Sequence, residues 1–198
     1  MLQVIQPIDG KPTELASLPD PVCGPGQVLI ANRASLISAG TERSTVELAR
    51  QSLLSKARQR PDHVRRVMEK FRQEGLAATL EQVRSKLAQP MPLGYSSAGV
   101  VLAVGEGVRE FRVGDRVASN GPHAGVVAVG KNLVAKIPDD VPFEHAAYGV
   151  VASIALQGVR LSGATLGDVV VVVGLGLIGQ ITIALLRSAG CRVVGTDV

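Results

Sequence analysis

Tryptophan is absent from this chain of 198 residues, and phenylalanine and tyrosine together make up 3% of it. Aromatics this sparse leave none of the stacking platforms on which single-stranded nucleic acid is held. Cysteine occurs only at Cys23 and Cys191, too few and too far apart for a disulfide framework or a cysteine zinc site. Residues 1–11 lack a basic start followed by an apolar run, so no secretory signal is read and a reducing, cytoplasmic setting is expected. What is plentiful is apolar residue, 46% of the chain, ample for a packed core. The net charge of +4 is concentrated: residues 44–90 carry ten Lys or Arg against five Asp or Glu, and the remainder is near neutral.

The most informative stretch is the last. Val169-Val170-Val171-Val172-Val173 reads as a fully buried parallel strand, and Gly174-Leu175-Gly176-Leu177-Ile178-Gly179 follows it without a gap. Gly174 permits a tight turn, Gly176 lets backbone amides approach a pyrophosphate, and Gly179 lets the next helix lie close on the strand. Gln180 to Ser188 supplies that helix, its amide-bearing end facing the phosphates. Gly190 stops it, Arg192 to Thr196 forms a second strand, and Asp197 stands at the strand's carboxyl end, where it can accept hydrogen bonds from an adenosine ribose. Strand, turn, helix, strand and acid in this order predict the opening half of a dinucleotide-binding unit, and two strands where such a sheet has about six suggest a fragment. Two other readings of these residues stand beside it. Val169 to Leu186 is uncharged and long enough for a membrane span, although Gln180, Thr182 and three glycines oppose that, and a glycine turn can pack a helix with no ligand at all.

Upstream, residues 1–38 read as short strands broken by turns at Pro19-Asp20-Pro21 and Gly24-Pro25-Gly26, the latter before a strand from Gln27 to Ala34. From Ser44 to Ala88 the period turns helical, with faces Val46, Ala49, Leu53, Leu54, Ala57, then Val64, Val67, Met68, Phe71, then Leu76, Leu80, Val83, Leu87. Short strands return at Gly99 to Val104, Arg116 to Ala118, His123 to Val129 and Leu133 to Ile137, a barrel-like pattern. Phe143 to Arg160 reads as one long helix leading into the valine strand, with a domain boundary near Pro142. We therefore expect a domain over 1–142 with a helical insertion at 44–90, and a nucleotide-binding part over 143–198.

A β-rich domain with Gly94-x-x-x-x-Gly99-Val100 and Val113-Gly114-Asp115-Arg116-Val117, followed by a helix and the glycine turn, resembles the medium-chain dehydrogenase/reductase family of alcohol-dehydrogenase-like enzymes. The likeness covers residues 1–38 and 93–198. It implies an α/β protein with a β-rich part: a GroES-like barrel carrying the substrate site, then the first half of a Rossmann domain for NAD or NADP, with hydride transfer in the cleft between. Zinc members carry a catalytic cysteine where this chain has Ser38, a histidine and a glutamate where it has Tyr95 and Ser96, and a third ligand near Gly149. Hydroxyls and a glycine cannot make a tetrahedral zinc site, and the four-cysteine structural lobe is missing too, so the resemblance points to a zinc-free branch. The form Ser38-Ala39-Gly40-Thr41-Glu42 with a helical insertion is similar to dehydrogenases of polysaccharide and pigment biosynthesis clusters, some of which carry a further oxidoreductase-like domain. By the same resemblance Ser153 faces the nicotinamide end of the cofactor, and a full-length protein is a homo-oligomer.

Without a metal, the alkoxide charge of hydride transfer needs a protein group. Tyr95 is the first candidate, as a donor of a hydrogen bond or proton from the old metal position; the alternative is that its ring fills the vacated volume. Ser38 and Thr41 either orient a substrate hydroxyl or make local turn bonds. Glu42 is a base or pairs with Arg43, and His123 is either catalytic or structural, while His63 reads as surface and His145 as a cap. Asp197 repels a 2′-phosphate and so favours NAD over NADP. The basic insertion, with Arg50, Lys56, Arg58, Arg60, Arg65, Arg66, Lys70 and Arg72, is a solvated helix face, an anion-attracting lid, or a surface for nucleic acid or lipid. The expectation is an NAD-dependent, zinc-free oxidoreductase for a small alcohol or carbonyl, sugar-like, with neither nucleic acid nor membrane as partner. The competing expectation is a non-catalytic, dinucleotide-responsive module whose basic helices dock a partner.

Overall fold

The computed structural model describes residues 1–8, 11–50 and 90–198, and the chain divides into two compact units. The first comprises residues 1–19 and 39–93. Its sheet has the order β2-β1-β4, all antiparallel, built from β1 (Leu2–Gln6), β2 (Glu14–Ser17) and β4 (Met91–Pro92). Pro92 sits on a two-residue edge strand, where the missing amide costs no ladder bond. The turn between β1 and β2 closes on the fully buried Gln6, whose Nε2 donates to the carbonyls of Pro7 and Lys11 at 2.8 and 3.0 Å while its Oε1 accepts Thr13 Oγ1 at 2.7 Å.

Helix α1 (Ala39–Arg50) belongs to the same unit and starts five residues before the predicted Ser44. The hydroxyls near the start are absorbed by the helix itself: Ser44 Oγ donates to the Gly40 carbonyl at 2.9 Å and Thr45 Oγ1 to the Thr41 carbonyl at 3.0 Å. Glu42 in the first turn suits the positive end of the dipole, and Arg43 pairs with Glu47 at 2.7 Å. The helices expected beyond Arg50, His63 and most of the basic insertion lie outside the described residues.

The second unit comprises residues 20–38 and 94–198. Its larger sheet has the order β7-β3-β5-β6-β8, from β3 (Gln27–Ser35), β5 (Ser97–Val104), β6 (Arg116–Ser119), β7 (Val126–Gly130) and β8 (Val134–Lys136), every pair antiparallel. A flat sheet would hold its two edge strands about 19 Å apart. Yet β7 and β8 are joined by one 3₁₀ turn, Lys131–Leu133, which can span only about 14 Å, so the sheet curls on itself. Alternate residues point inside the curl, and Val28, Ile30, Val101, Val117, Val127 and Val129 form the buried core there. The predicted strand at His123 begins instead at Val126, because Asn32 Nδ2 takes the carbonyls of Pro122 and Ala124 and the Asn32 amide takes that of Gly125. Residues 122–125 wrap the Asn32 side chain and pair with the chain only through an isolated bridge at Ala124.

The predicted helix from Phe143 to Arg160 is two helices, α2 (Phe143–Ala146) and α3 (Gly149–Ser162). At the break the Tyr148 amide reaches back three residues to the His145 carbonyl, at 3.1 Å, tightening the turn. His145 lies in the last turn of α2 rather than capping its start. Arg116 places α2: its guanidinium covers the Phe143 ring and donates to the carbonyls of Pro138, Asp139 and Val141.

Strands β9 (Val169–Val173) and β10 (Arg192–Thr196) pair in parallel with the bounds read from the sequence. The valine run is not fully buried, however. Val172 faces α4 (Leu177–Ser188), whereas Val169, Val171 and Val173 are 58, 62 and 81% exposed on the opposite face. The helix itself begins at Leu177, not Gln180, since the Gln180 amide already bonds to the Gly176 carbonyl at 2.9 Å. Among the described residues no helix is long and apolar enough to cross a membrane.

Candidate functional site

Two constellations carry chemistry, and both lie in the second unit. The first is the glycine turn between β9 and α4. Gly174 has φ +94°, and a Cβ on Gly179 would lie 1.8 Å from the Gly174 carbonyl oxygen, so only glycine lets the first helical turn close onto the strand end. A Cβ on Gly176 would meet nothing within 4 Å, which leaves open space over the backbone where a diphosphate would approach. Leu177 and Ile178, with Gly179, form the first turn of α4, their amides at its positive end. The turn residue Leu175 is held at both of its backbone groups. Its amide donates to Asp197 Oδ2 at 2.8 Å, and its carbonyl accepts Gln180 Nε2 at 2.9 Å. Gly195 on β10 makes room for the Leu175 side chain, which a Cβ there would strike at 2.7 Å.

Asp197 was read from the sequence as a ribose ligand, and its carboxylate is in contact with the chain as well. The Leu175 amide, and then the Val198 amide on Oδ1, hold its carboxyl below the ordinary carboxylate range. An ionised carboxylate has about four acceptor positions, so two remain for sugar hydroxyls. The residues present therefore fit a dinucleotide: backbone amides and open space for the diphosphate, a carboxylate for the ribose. Ser153 lies on the exposed side of α3 with its Oγ donated to the Val150 carbonyl at 2.7 Å, a bond within its own helix.

The second constellation forms where the end of β3 meets the segment entering β5. Ser35 pairs with Ser97, the Leu36 amide donates to the Ser96 carbonyl at 2.8 Å, and the two chains then bring Ser38 opposite Tyr95. Tyr95 Oη donates to Ser38 Oγ at 2.9 Å, and Ser38 is 8% exposed. Thus two of the three expected catalytic residues are in contact. Thr41 is in the first turn of α1, in the other unit, so it is not a strand-end residue. Gly149, where the resemblance put a third metal ligand, opens α3, and a Cβ on it would touch Ala118 Cβ at 3.4 Å. Among the described residues no three His, Cys, Asp or Glu side chains gather to hold a metal ion.

Sequence reasoning undervalued what surrounds Tyr95. Gly94 has φ +85°, and a Cβ on it would lie 2.6 to 2.7 Å from three atoms of the His123 ring, which therefore lies flat against Gly94. His123 Nδ1 meets Ser35 Oγ at 2.8 Å, and Asn32 grips the carbonyls on both sides of the histidine. On the far side Ser96 Oγ donates to the Ala147 carbonyl at 2.5 Å. These bonds join residues 51 to 92 positions apart, and no spacing in the sequence announces them.

Comparison with known proteins agrees with this architecture. The sequence pattern described as "Alcohol dehydrogenase GroES-like domain" matches residues 70–192. A D-guloside 3-dehydrogenase of Escherichia coli is 39% identical over 109 residues, 53% of this chain and 31% of that protein. An (R,R)-butanediol dehydrogenase of Bacillus subtilis is 33% identical over 129 residues, 51% of this chain and 37% of that protein. The match thus spans about a third of the length of these relatives. The crystal structure of the E. coli quinone oxidoreductase complexed with NADPH superposes with a TM-score of 0.73 at 16% identity, covering 100% of this chain and 52% of that one, a likeness of fold. With the curled GroES-like sheet, the glycine turn and the pattern match in agreement, the chain belongs to the alcohol dehydrogenase GroES-like domain family of medium-chain dehydrogenases/reductases.

Proposed function

We propose that this chain carries the reacting groups of an NAD-dependent, zinc-independent oxidoreductase that moves a hydride to or from an alcohol or carbonyl carbon of a small, sugar-type substrate. The observation that carries the proposal is the 2.9 Å hydrogen bond between Tyr95 Oη and Ser38 Oγ, which puts a phenol and a hydroxyl together at the positions that hold metal ligands in zinc members. In such a mechanism residues 1–142 bind the substrate and residues 143–198 begin the cofactor domain. NAD, when bound, supplies the hydride acceptor or donor. As hydride arrives at a carbonyl carbon, negative charge develops on its oxygen, and rotation about the Tyr95 Cζ–Oη bond turns the phenol proton from Ser38 to that oxygen. Ser38 holds the phenol in place before and after transfer. In the opposite direction the deprotonated Tyr95 left by that transfer accepts the alcohol proton as hydride leaves, which restores the phenol. Asp197 supports NAD over NADP, since its carboxylate would face a 2′-phosphate, and the names of the guloside and butanediol relatives support a polyhydroxylated substrate. The proposal extends to a cytoplasmic homo-oligomer whose partner is a small molecule.

The purified protein is expected to bind NADH, to contain no stoichiometric zinc by elemental analysis, and to turn over at least one member of a polyol and sugar panel. Tyr95→Phe and Ser38→Ala should lower kcat by about 10²-fold or more, the usual worth of a positioned proton donor, with the KM for NADH unchanged. Stoichiometric zinc, or turnover indifferent to both substitutions, would overturn the mechanism. NADH binding with no turnover across the panel would favour a dinucleotide-responsive module without chemistry.

A further inference from the structure

Successive residues of an extended segment point to opposite sides. Tyr95 reaches Ser38, while Ser96 turns the other way and donates its hydroxyl to the Ala147 carbonyl at 2.5 Å, buried to 1% exposure. The Ser96 carbonyl also accepts the amide of Leu36, two residues before Ser38, at 2.8 Å. One residue therefore joins the strand end that carries Ser38, the segment that presents Tyr95, and the break between α2 and α3. The break is closely seated: Ala98, Ala146 and Ala147 form a buried cluster beside it. Apolar side chains fill that seat, with Leu36 and Phe143 packed against the alanines, so an alanine would serve at position 96 if packing were all that was required. A buried hydroxyl there is explained by the bond it makes.

We infer that Ser96 is the positioning residue of the Tyr95–Ser38 pair, its bond to Ala147 setting the place of the phenol according to where the α2–α3 junction sits. The inference rests on the proposed function for the meaning of the pair, but its geometry is testable without turnover. Ser96 exchanges no proton with a substrate. It anchors the segment laterally, complementing Gly94, which rests on the His123 ring. Beyond the junction α3 packs against α4, the helix that follows the glycine turn. A ligand that shifts α4 therefore shifts the junction, and the Ser96 bond passes that shift to Tyr95.

The chain has two tyrosines, Tyr95 and Tyr148, so in a Tyr148→Phe background a 13Cζ-tyrosine label reports Tyr95 alone by NMR. Ser38→Ala gives the resonance of a phenol deprived of its acceptor. Ser96→Ala is expected to move the label to that same position with the amide resonances of β3 and β7 unchanged, and Ser96→Thr, which keeps a hydroxyl, to return it toward the parent. A label that stays at the parent position in Ser96→Ala overturns the inference. ADP-ribose, which has the diphosphate but no nicotinamide, is expected to shift the label in the parent and not in Ser96→Ala. A shift of equal size in both overturns the relay through Ser96. Amides of residues 174–179 that ignore ADP-ribose would instead strike at the proposed function, and the Ser96→Ala comparison would still decide the role of Ser96.

Discussion

The Asp197 carboxylate accepts the Leu175 amide at 2.8 Å, so the residue at the end of β10 closes the glycine turn before any sugar reaches it. Gln180 completes the closure from the other side through the Leu175 carbonyl. One charge thus serves two purposes, shaping the loop that would wrap a diphosphate and offering its remaining lone pairs to a ribose. Selection between dinucleotides and rigidity of the turn are consequently coupled at this residue.

Asp197→Asn tests that coupling. The amide oxygen can still take the Leu175 N–H, but without the charge that strengthens the bond. We expect NADH binding, measured by calorimetry, to weaken about tenfold, as for loss of a charge-assisted hydrogen bond. NADPH binding should suffer less, because the repulsion of its 2′-phosphate is relieved. An unchanged ratio of the two affinities would separate Asp197 from cofactor choice.

The same carboxyl sets a pH window. Its folded-state pKa is lowered from 3.8, first by the Leu175 amide. A depressed carboxyl contributes stability above its unfolded pKa and loses it as pH falls through the folded one. The Leu175 amide resonance should therefore hold constant from about pH 7 to pH 5 and move only below about pH 4. Glu110 provides a comparison, its pKa lowered to about 2 chiefly by the Arg109 amide and its own, with Lys131 adding a hydrogen bond. Lys131→Ala should raise its midpoint only part of the way to 4.5, because the backbone bonds remain. A full return to the ordinary value would show that the lysine dominates.

How far the sequence foretold this arrangement depended on how local each cause was. The strands β9 and β10 stand at their predicted bounds because a β-branched run ending in glycine is a local signal, as is Gly190 after α4. The meeting of Ser38 and Tyr95, 57 residues apart, was accessible only through resemblance. The break between α2 and α3 was invisible because the apolar pattern runs through it and a backbone bond, Tyr148 to His145, makes the interruption. The exposure of Val169, Val171 and Val173 was missed because an unbroken apolar run says nothing of which face is covered. Asn32 carried no motif and Ser96 only the place of a glutamate in the resembled family, and the partners of both lie 51 or more residues away.

The glycines of the turn should part into two kinds when substituted. Gly179→Ala forces a Cβ to within 1.8 Å of the Gly174 oxygen, a backbone atom that cannot swing aside. The expected cost is about 1–3 kcal/mol of stability, as for overpacked sites, together with loss of NADH binding. Gly176→Ala meets nothing within 4 Å, so Tm should stay near the parent value while NADH binding falls, the methyl occupying space intended for ligand. Equal thermal destabilisation by both, measured by calorimetry, would mean that the space over Gly176 has no bearing on the ligand.

Gly94 and His123 allow the sharpest separation of causes. Gly94→Ala faces two penalties, a backbone at φ +85° that disfavours a side chain and an imidazole 2.6 Å from the new methyl. Left-handed strain costs of order 1–3 kcal/mol whatever lies nearby, whereas the collision depends on the ring being present. In the double variant Gly94→Ala/His123→Ala the ring is gone and only the strain remains. The double variant should therefore be more stable than the sum of the single losses implies, by about 0.5–3 kcal/mol, the usual coupling between residues in contact. Strict additivity in denaturant melts would place the His123 ring away from Gly94. With the ring removed, Tyr95 also loses the seat beneath its neighbouring residue, so kcat on whichever polyol is turned over should fall in His123→Ala even though the KM for NADH holds.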